Sequence, residues 1–414
     1  MTEHITTEIA VLGAGVVGLC VAEALVAAGH EVTLVDPGTP GMGASYGNAG
    51  TIADYAVMPV GSPDVLKNLP ALLFDKTSPL AIRRAALPAL LPWLARFALQ
   101  SLPGPTARNA AAIAALLTGA APLWQALAER IGGGHILQHR GCLYLYEAAK
   151  AYRVADKDMA FRRSHGITID LIGPGELAAL EPGLPAVEGG AAFFPNAVFL
   201  SDPGQMVGLL TRKVLEKANF RQTRAERLTR QIDGVIVEGP GLRLHARKVV
   251  IAAGAHSRDL AAQAGDRVPL DTERGYHVEW DIAAPRLTRP ACPTARGFYL
   301  CPMTGRLRVA GTVELGGLTA PPSAHRIAKL VEGARAIFPD LPEPSREWMG
   351  FRPSMPDSRP VIGPSRAGPE VIHAYGHGHI GLTLAPITAR LVAALVAGRT
   401  PEVELAPYLP HRFG

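Results

Sequence analysis

Residues 8–36 limit what this chain can fold into more than any other stretch. An apolar run, Glu8 to Leu12, leads into Gly13-Ala-Gly15-Val16-Val17-Gly18, then a segment of helical period, then a second apolar run, Glu31 to Val35, closed by Asp36. The pattern predicts strand, glycine turn, helix, strand and acid, the βαβ unit that seats a dinucleotide. Gly13 permits the tight turn, Gly15 lets the backbone approach a pyrophosphate, and Gly18 lets the helix pack on the strand. Phosphates then meet free N–H groups at the helix start. Asp36 is placed to accept from ribose hydroxyls, and an acid there repels a 2′-phosphate, which argues against NADP.

With 414 residues, 48% hydrophobic and 19% charged, the chain is long enough to bury a large core and is expected to form two domains. Its net charge of +5 is scattered, and no basic block alternates with aromatic residues, which excludes a nucleic-acid binder. Cys20, Cys142, Cys292 and Cys301 are far apart and match no C-x-x-C spacing, so neither a disulfide framework nor a zinc site is expected. Residues 1–7 carry no basic segment followed by an apolar core, so no secretory signal is expected and the cytoplasm is the expected location.

The most apolar extended region, Ser78 to Leu102, is interrupted by Arg83, Arg84 and Arg96 and punctuated by Pro79, Pro88 and Pro92. It falls short of the roughly 20 uninterrupted apolar residues of a membrane span. Helices packed on their own domain are the favoured reading, and the basic amphipathic character leaves a surface helix resting on anionic lipid as the alternative.

Residues 104–132 read as a helix broken near Pro122, Arg140–Tyr146 as a strand, and Ala148–His165 as helical with its charges on the wet side. Asp202 and Pro203 mark the start of a helix running to about Ala218. Val235–Glu238 and Leu242–His245 flank Gly239-Pro240-Gly241 as a hairpin, and Lys248–Gly254 follows as a buried strand ending in glycine. Residues 269–320 carry short strands, including Gly275–Trp280 and Arg296–Cys301, expected to form a separate, mostly antiparallel sheet. No repeat is evident, and alternating strands and helices return the chain to a doubly wound sheet.

Near the C-terminus stand Trp348-Met-Gly-Phe-Arg352-Pro353, Asp357, Pro360 and Gly363, then Tyr375-Gly376-His377-Gly378-His379-Ile380-Gly381-Leu382-Thr383. With the N-terminal unit, and with Gly43-Ala-Ser45-Tyr-Gly47-Asn48-Ala49-Gly50-Thr51 after the second strand, the chain resembles the D-amino acid oxidase superfamily of FAD enzymes. The resemblance is closest to the bacterial D-amino acid dehydrogenase branch, D-proline and D-hydroxyproline dehydrogenases included. It implies an α/β fold: a doubly wound, glutathione-reductase-like FAD domain from residues 1–60, 200–268 and 350–414, and an α+β substrate domain from 61–199 and 269–349.

The resemblance further implies noncovalent FAD held by the glycine turn with Val16 and Val17, by Asp36, by Ser45, Asn48, Ala49, Gly50 and Thr51, by Ala253 and Gly254, and by Gly376 through Thr383. The residues themselves support the last group, because Gly376–Gly381 precedes a helix, Leu384–Ala397, whose N–H groups favour an anionic flavin. Ser45 and Asn48 also suit a simple turn, and Gly254 a packing glycine. Cys301 and His377 are available for covalent attachment but stand in no recognised linkage motif.

An amino-acid carboxylate calls for a planar, permanently charged fork, which arginine supplies. Arg352 matches the family's carboxylate-binding arginine, and the other arginines read as surface groups. Tyr276, His277 and, more weakly, Tyr299 are candidates for the substrate pocket, although a histidine at a strand start is as often packed as catalytic. The implied reaction passes a hydride from the substrate α-carbon to flavin N5, giving an imine and then an oxo acid. No strong general base is visible. A quinone or electron-transfer partner is the implied acceptor. A glycine or sarcosine oxidase, and a flavin subunit of a hetero-oligomer, are the alternatives, and the oligomeric state stays open.

Overall fold

The strand Glu3–Leu12 is the centre of the first sheet in the computed structural model, which describes residues 2–67 and 80–413. It runs parallel to Val32–Val35 on one side and to Leu242–Ile251 on the other, with Leu12 level with both Val35 and Ile251. Among the described residues this sheet has eight strands, ordered Asn219–Arg221, Val32–Val35, Glu3–Leu12, Leu242–Ile251, Gly234–Gly239, Arg227–Gln231, with Gly368–Tyr375 parallel to Leu242–Ile251 and paired to Val361–Ser365. Alternation divides the core. Ile9 and Val11 pack on the side of helices Val16–Ala27, Pro203–Leu215 and Gly381–Val396, while Ala10 and Leu12 face Leu260 and Ala261. Both faces are covered, as a doubly wound sheet requires.

Among the described residues the second sheet has nine strands. Its main path is Arg346–Ser354, Asp271–Asp281, Arg306–Leu315, Phe298–Met303, Ala291–Pro293, Cys142–Tyr146, Gly190–Phe194, Asp170–Ile172, and Leu80–Ile82 adds alongside Arg306–Leu315. All contacts are antiparallel except Ala291–Pro293 with Cys142–Tyr146 and Leu80–Ile82 with Arg306–Leu315. Its outer face, with Tyr276, Val278, Trp280, Leu300 and Val309, packs under Ile327, Leu330 and Ala334 of helix Ala324–Arg335. Across the inner face the register sets Tyr299 beside Ala310, Ala310 beside His277, and His277 beside Trp348. The boundary expected between 349 and 350 falls inside the strand Arg346–Ser354, so the strand carrying Arg352 belongs wholly to this sheet.

Several local expectations shift. The break in residues 104–132 is at Gly119 (φ +78), between helices Pro103–Leu117 and Ala120–Arg130. Pro122 lies in the first turn of the second helix, where its missing N–H costs nothing. The strand expected to end at Gly254 ends at Ile251, and Gly254 (φ +55) opens a short 3₁₀ turn. Residues 148–165 form two helices, Ala149–Arg153 and Ala155–Arg163. The helix capped by Asp202, whose Oδ1 accepts from Gln205 N at 3.0 Å, stops at Leu215. Gly378–Val396 is long and apolar enough to cross a membrane, yet Leu382, Ala385, Ala389 and Val392 are buried in the first sheet's core. Ser78 and Pro79 lie outside the described residues.

Candidate active site

The glycine turn is fixed by contact. A Cβ on Gly13 (φ +109) would stand 2.4 Å from Ala252 O and 2.7 Å from Ala253 Cα, and one on Gly18 would stand 1.9 Å from Gly13 O. Gly15 differs: its φ is −73°, and its Cβ would meet only Ser45 Oγ at 3.5 Å. Neither backbone conformation nor protein packing requires glycine at this helix start, so the room there suits a group laid against the backbone, as a pyrophosphate would be. Ser45 Oγ accepts from Val16 N at 2.8 Å, and Asp36 accepts from Ala14 N and Gly38 N, both at 2.8 Å. Asp36 therefore braces the turn and remains partly exposed; Val17 is partly exposed at the same end.

Beyond Ser45, Asn48 Oδ1 accepts from Gly50 N at 2.8 Å, closing a turn around Ala49 and ahead of Thr51. Gly50 (φ +80) passes so close to Leu200 O that a Cβ would lie 2.8 Å from it. Thr383 ties this segment to the C-terminal helix, its Oγ1 accepting from Ala53 N at 3.0 Å and reaching Thr51 O at 3.5 Å. Ahead of Thr383, Gly376 has φ +83 and Gly378 φ +55, Gly378–Ile380 forms a 3₁₀ turn, and the helix begins at Gly381, three residues earlier than expected. Leu382 O accepts from Trp124 Nε1. His377 is buried with Nε2 on Thr388 Oγ1 at 3.0 Å, and burial lowers its pKa to about 3. His379 lines a cleft with Glu273, Ser354 and His377; desolvation there, then the Arg352 charge, lower its pKa to about 4. Cys301 is a buried free thiol.

Arg352 reaches this end of the inner face. Gly275 faces two residues, Thr312 and Val313, of the neighbouring strand, a β-bulge that leaves Thr312 at φ +57. Arg352 Nη1 donates to Thr312 O at 3.0 Å. Burial lowers the guanidinium pKa, and Glu273, its cross-strand neighbour, opposes that shift. Glu273 is itself buried, which raises its carboxyl pKa.

The other candidates separate. Tyr276 is on the outer face, its Oη donating to Glu314 Oε2 at 2.5 Å and accepting from Ser323 N at 3.2 Å, which corrects its expected place in the pocket. His277 is on the inner face, its Nδ1 donating to Gly47 O at 3.1 Å and its ring stacked on Trp348 at 5.0 Å and 15°. Burial, then the Arg308 charge, lower its pKa to about 4. Tyr299, also inner, donates to Tyr144 Oη at 3.2 Å beside Tyr55, which stacks on Phe194 at 4.3 Å. Tyr55, Tyr144 and Glu273 were not singled out from sequence. The Cys142, Tyr144, Tyr146 alternation was the available signal for the tyrosine wall. Nor are all other arginines surface groups: Arg274 and Arg308 are fully buried.

The family of FAD dependent oxidoreductases termed DAO matches residues 8–395. A D-amino-acid oxidase of Bradyrhizobium diazoefficiens is 36% identical, covering 98% of each chain. A D-amino acid dehydrogenase of Dechloromonas aromatica is 32% identical over 96% of this chain and 99% of its own. Glycine oxidase from Geobacillus kaustophilus, 24% identical, shares the fold with a TM-score of 0.78 over 98% of both chains. A glycine turn with room at Gly15, a glycine-led helix start at 376–381 and an arginine at the sheet end stand together in this chain, which belongs to the DAO family of FAD-dependent oxidoreductases.

Proposed function

We propose that the chain oxidises a D-amino acid, or a cyclic D-imino acid such as D-proline or cis-4-hydroxy-D-proline, at its Cα–H bond. The placement of Arg352 carries this reading: a guanidinium on the inner face, over Gly275, next to the cleft lined by Glu273 and His379. Its fork binds the substrate carboxylate in two parallel hydrogen bonds and so fixes the direction of the Cα–H bond. Ala14 through Gly18, Ser45 and the residues from Gly376 to Thr383 would hold FAD, which when bound accepts the hydride. Tyr299 and the tyrosines behind it form a wall whose phenols burial keeps protonated, able to donate to substrate but not to repel it. The imine product hydrolyses to an oxo acid, or stays cyclic when the amine is secondary. The relatives named D-amino-acid oxidase and D-amino acid dehydrogenase support the substrate class.

Electrons then pass to oxygen, or to a quinone or partner protein. Leu87, Leu91 and Leu99, with Arg84 and Arg96, are exposed, which supports contact of this segment with an anionic surface as the secondary reading to packing on its own domain. Anaerobic mixing of the yellow protein with D-amino acids, D-proline derivatives, glycine and sarcosine tests the reaction through bleaching of the flavin band near ~450 nm. Bleaching by D-amino or D-imino acids is expected. Bleaching only by glycine or sarcosine, or by none, overturns the proposal, and readmitted air separates oxidase from dehydrogenase.

A further inference from the structure

Three consecutive backbone carbonyls of the loop after Ser45 are held from the second sheet. Arg308, fully buried, donates Nη1 to Tyr46 O at 3.1 Å and to Asn48 O at 2.5 Å, and its guanidinium lies 5.9 Å from the Tyr46 ring centre. Between them, His277 Nδ1 donates to Gly47 O. Gly47 is pressed on the indole that stacks with His277, and a Cβ there would stand 2.3 Å from Trp348. Behind Arg308, Glu279 Oε1 accepts from its Nε at 2.7 Å, and Glu279 Oε2 accepts from Arg346 Nε at 2.8 Å. Arg306 Nε completes the cluster 3.4 Å from Oε1, and its Nη2 bonds the capping Asp202.

A buried ion pair of this kind returns little net stability, because desolvation offsets the attraction. Its donors are spent instead on a short stretch of irregular backbone. That stretch begins at Ser45, whose hydroxyl is bonded to Val16 N beside the room at Gly15. One connected path therefore runs from Glu279 through Arg308 to residues 46–48, then to Ser45 and the helix start.

We propose that Glu279 and Arg308, with His277, are positioning residues for FAD: they set the 45–50 loop from the second sheet and thereby the affinity of the helix start for the cofactor. The proposal rests on the FAD assignment, so its test includes the wild-type protein. Flavin-free protein would be titrated with FAD by fluorescence quenching, and its melting measured without FAD, for wild type, Arg308→Lys, the double variant Glu279→Leu/Arg308→Met, and Gly47→Ala. The double variant leaves Arg306 paired with Asp202 and Arg346 with Asp281, so no buried charge stands alone. It is expected to fold without FAD, melting lower only by the worth of the freed Tyr46 and Asn48 carbonyls, while its Kd for FAD rises roughly 10- to 100-fold. Arg308→Lys, which keeps one charged donor, is expected to fall between. Gly47→Ala is expected to raise Kd by displacing the same loop without touching a charge. A Kd within about twofold of wild type in the double variant overturns the proposal. If that variant does not fold, unchanged Kd in Gly47→Ala and Arg308→Lys does so instead. Failure of the wild-type protein to bind FAD would sink the cofactor assignment itself.

Discussion

Arg352 lies across Gly275: a Cβ built on that glycine would stand 2.2 Å from the guanidinium carbon. The arginine can reach Thr312 O only because its neighbour has no side chain. Gly275→Ala is therefore expected to displace Arg352 and raise KM for the amino acid while FAD binding is kept. Arg352→Met, which removes the charged fork, is expected to lower kcat/KM by roughly 10²- to 10³-fold, about 3–4 kcal/mol. Steady-state kinetics on both variants, with flavin content measured in parallel, checks this; unchanged kcat/KM in Arg352→Met would remove it from the site.

Gly15 and Gly18 stand three residues apart and are glycine for different reasons. Gly15→Ala is expected to leave the flavin-free fold within about 1 kcal/mol of wild type, a helix N-cap effect. Its FAD affinity is expected to drop at least tenfold. Gly18→Ala drives a methyl into Gly13 O and is expected to cost roughly 2–4 kcal/mol of stability with or without FAD. Melting curves of flavin-free protein, set beside FAD titrations, distinguish the two.

Tyr276 and Tyr299 occupy opposite faces of one sheet. Tyr276→Phe removes a hydrogen bond to a buried carboxylate and is expected to destabilise the fold by about 1–3 kcal/mol with kcat/KM unchanged. Tyr299→Phe is expected to alter kcat/KM by roughly three- to tenfold, the worth of one hydrogen bond, with a smaller stability change. Equal kinetic effects from both would contradict the two-faced arrangement.

Asp357 is buried and accepts from Arg412 Nε at 2.8 Å and Arg359 Nη2 at 2.9 Å. Burial alone would raise its pKa, but the Arg412 and then the Arg359 charges hold it below the usual carboxylate value. A lowered folded-state pKa means the stabilisation is complete at neutral pH and is lost as pH falls through that pKa. Asp357→Asn, which leaves two partly buried guanidiniums without a counter-charge, is expected to cost about 3 kcal/mol at pH 7. Urea melts from pH 7 to 3 are expected to show the gap between variant and wild type closing below about pH 4.

The N-terminal unit was legible because each of its signals is local: apolar runs, glycines at fixed offsets, and an acid at the end of the second strand. Tyr276 was not. Residues 272–280 are all buried, so alternation there marks no wet side, and the bulge opposite Gly275 shifts the phase between neighbouring strands. Arg308 was misread for a related reason, since a charged residue in an alternating strand signals solvent unless its partners are known. Those partners, Glu279 and the carbonyls of Tyr46 and Asn48, come from distant segments. Pro122 misled because a proline in a first helical turn and one that ends a helix look alike without the preceding Gly119 conformation.

The pairing of Glu3 with Leu242 has a further consequence during synthesis. The strand Glu3–Leu12 leaves the ribosome well before its second neighbour, Leu242–Ile251, and at roughly 5–20 residues per second the wait between them is about 10–50 s. Throughout it, the Ile9–Leu12 edge, apolar on both faces, is without the partner that covers it in the finished sheet. A nascent chain of this topology should depend on holding chaperones, and synonymous codons that slow translation between residues 40 and 240 should lower its soluble yield.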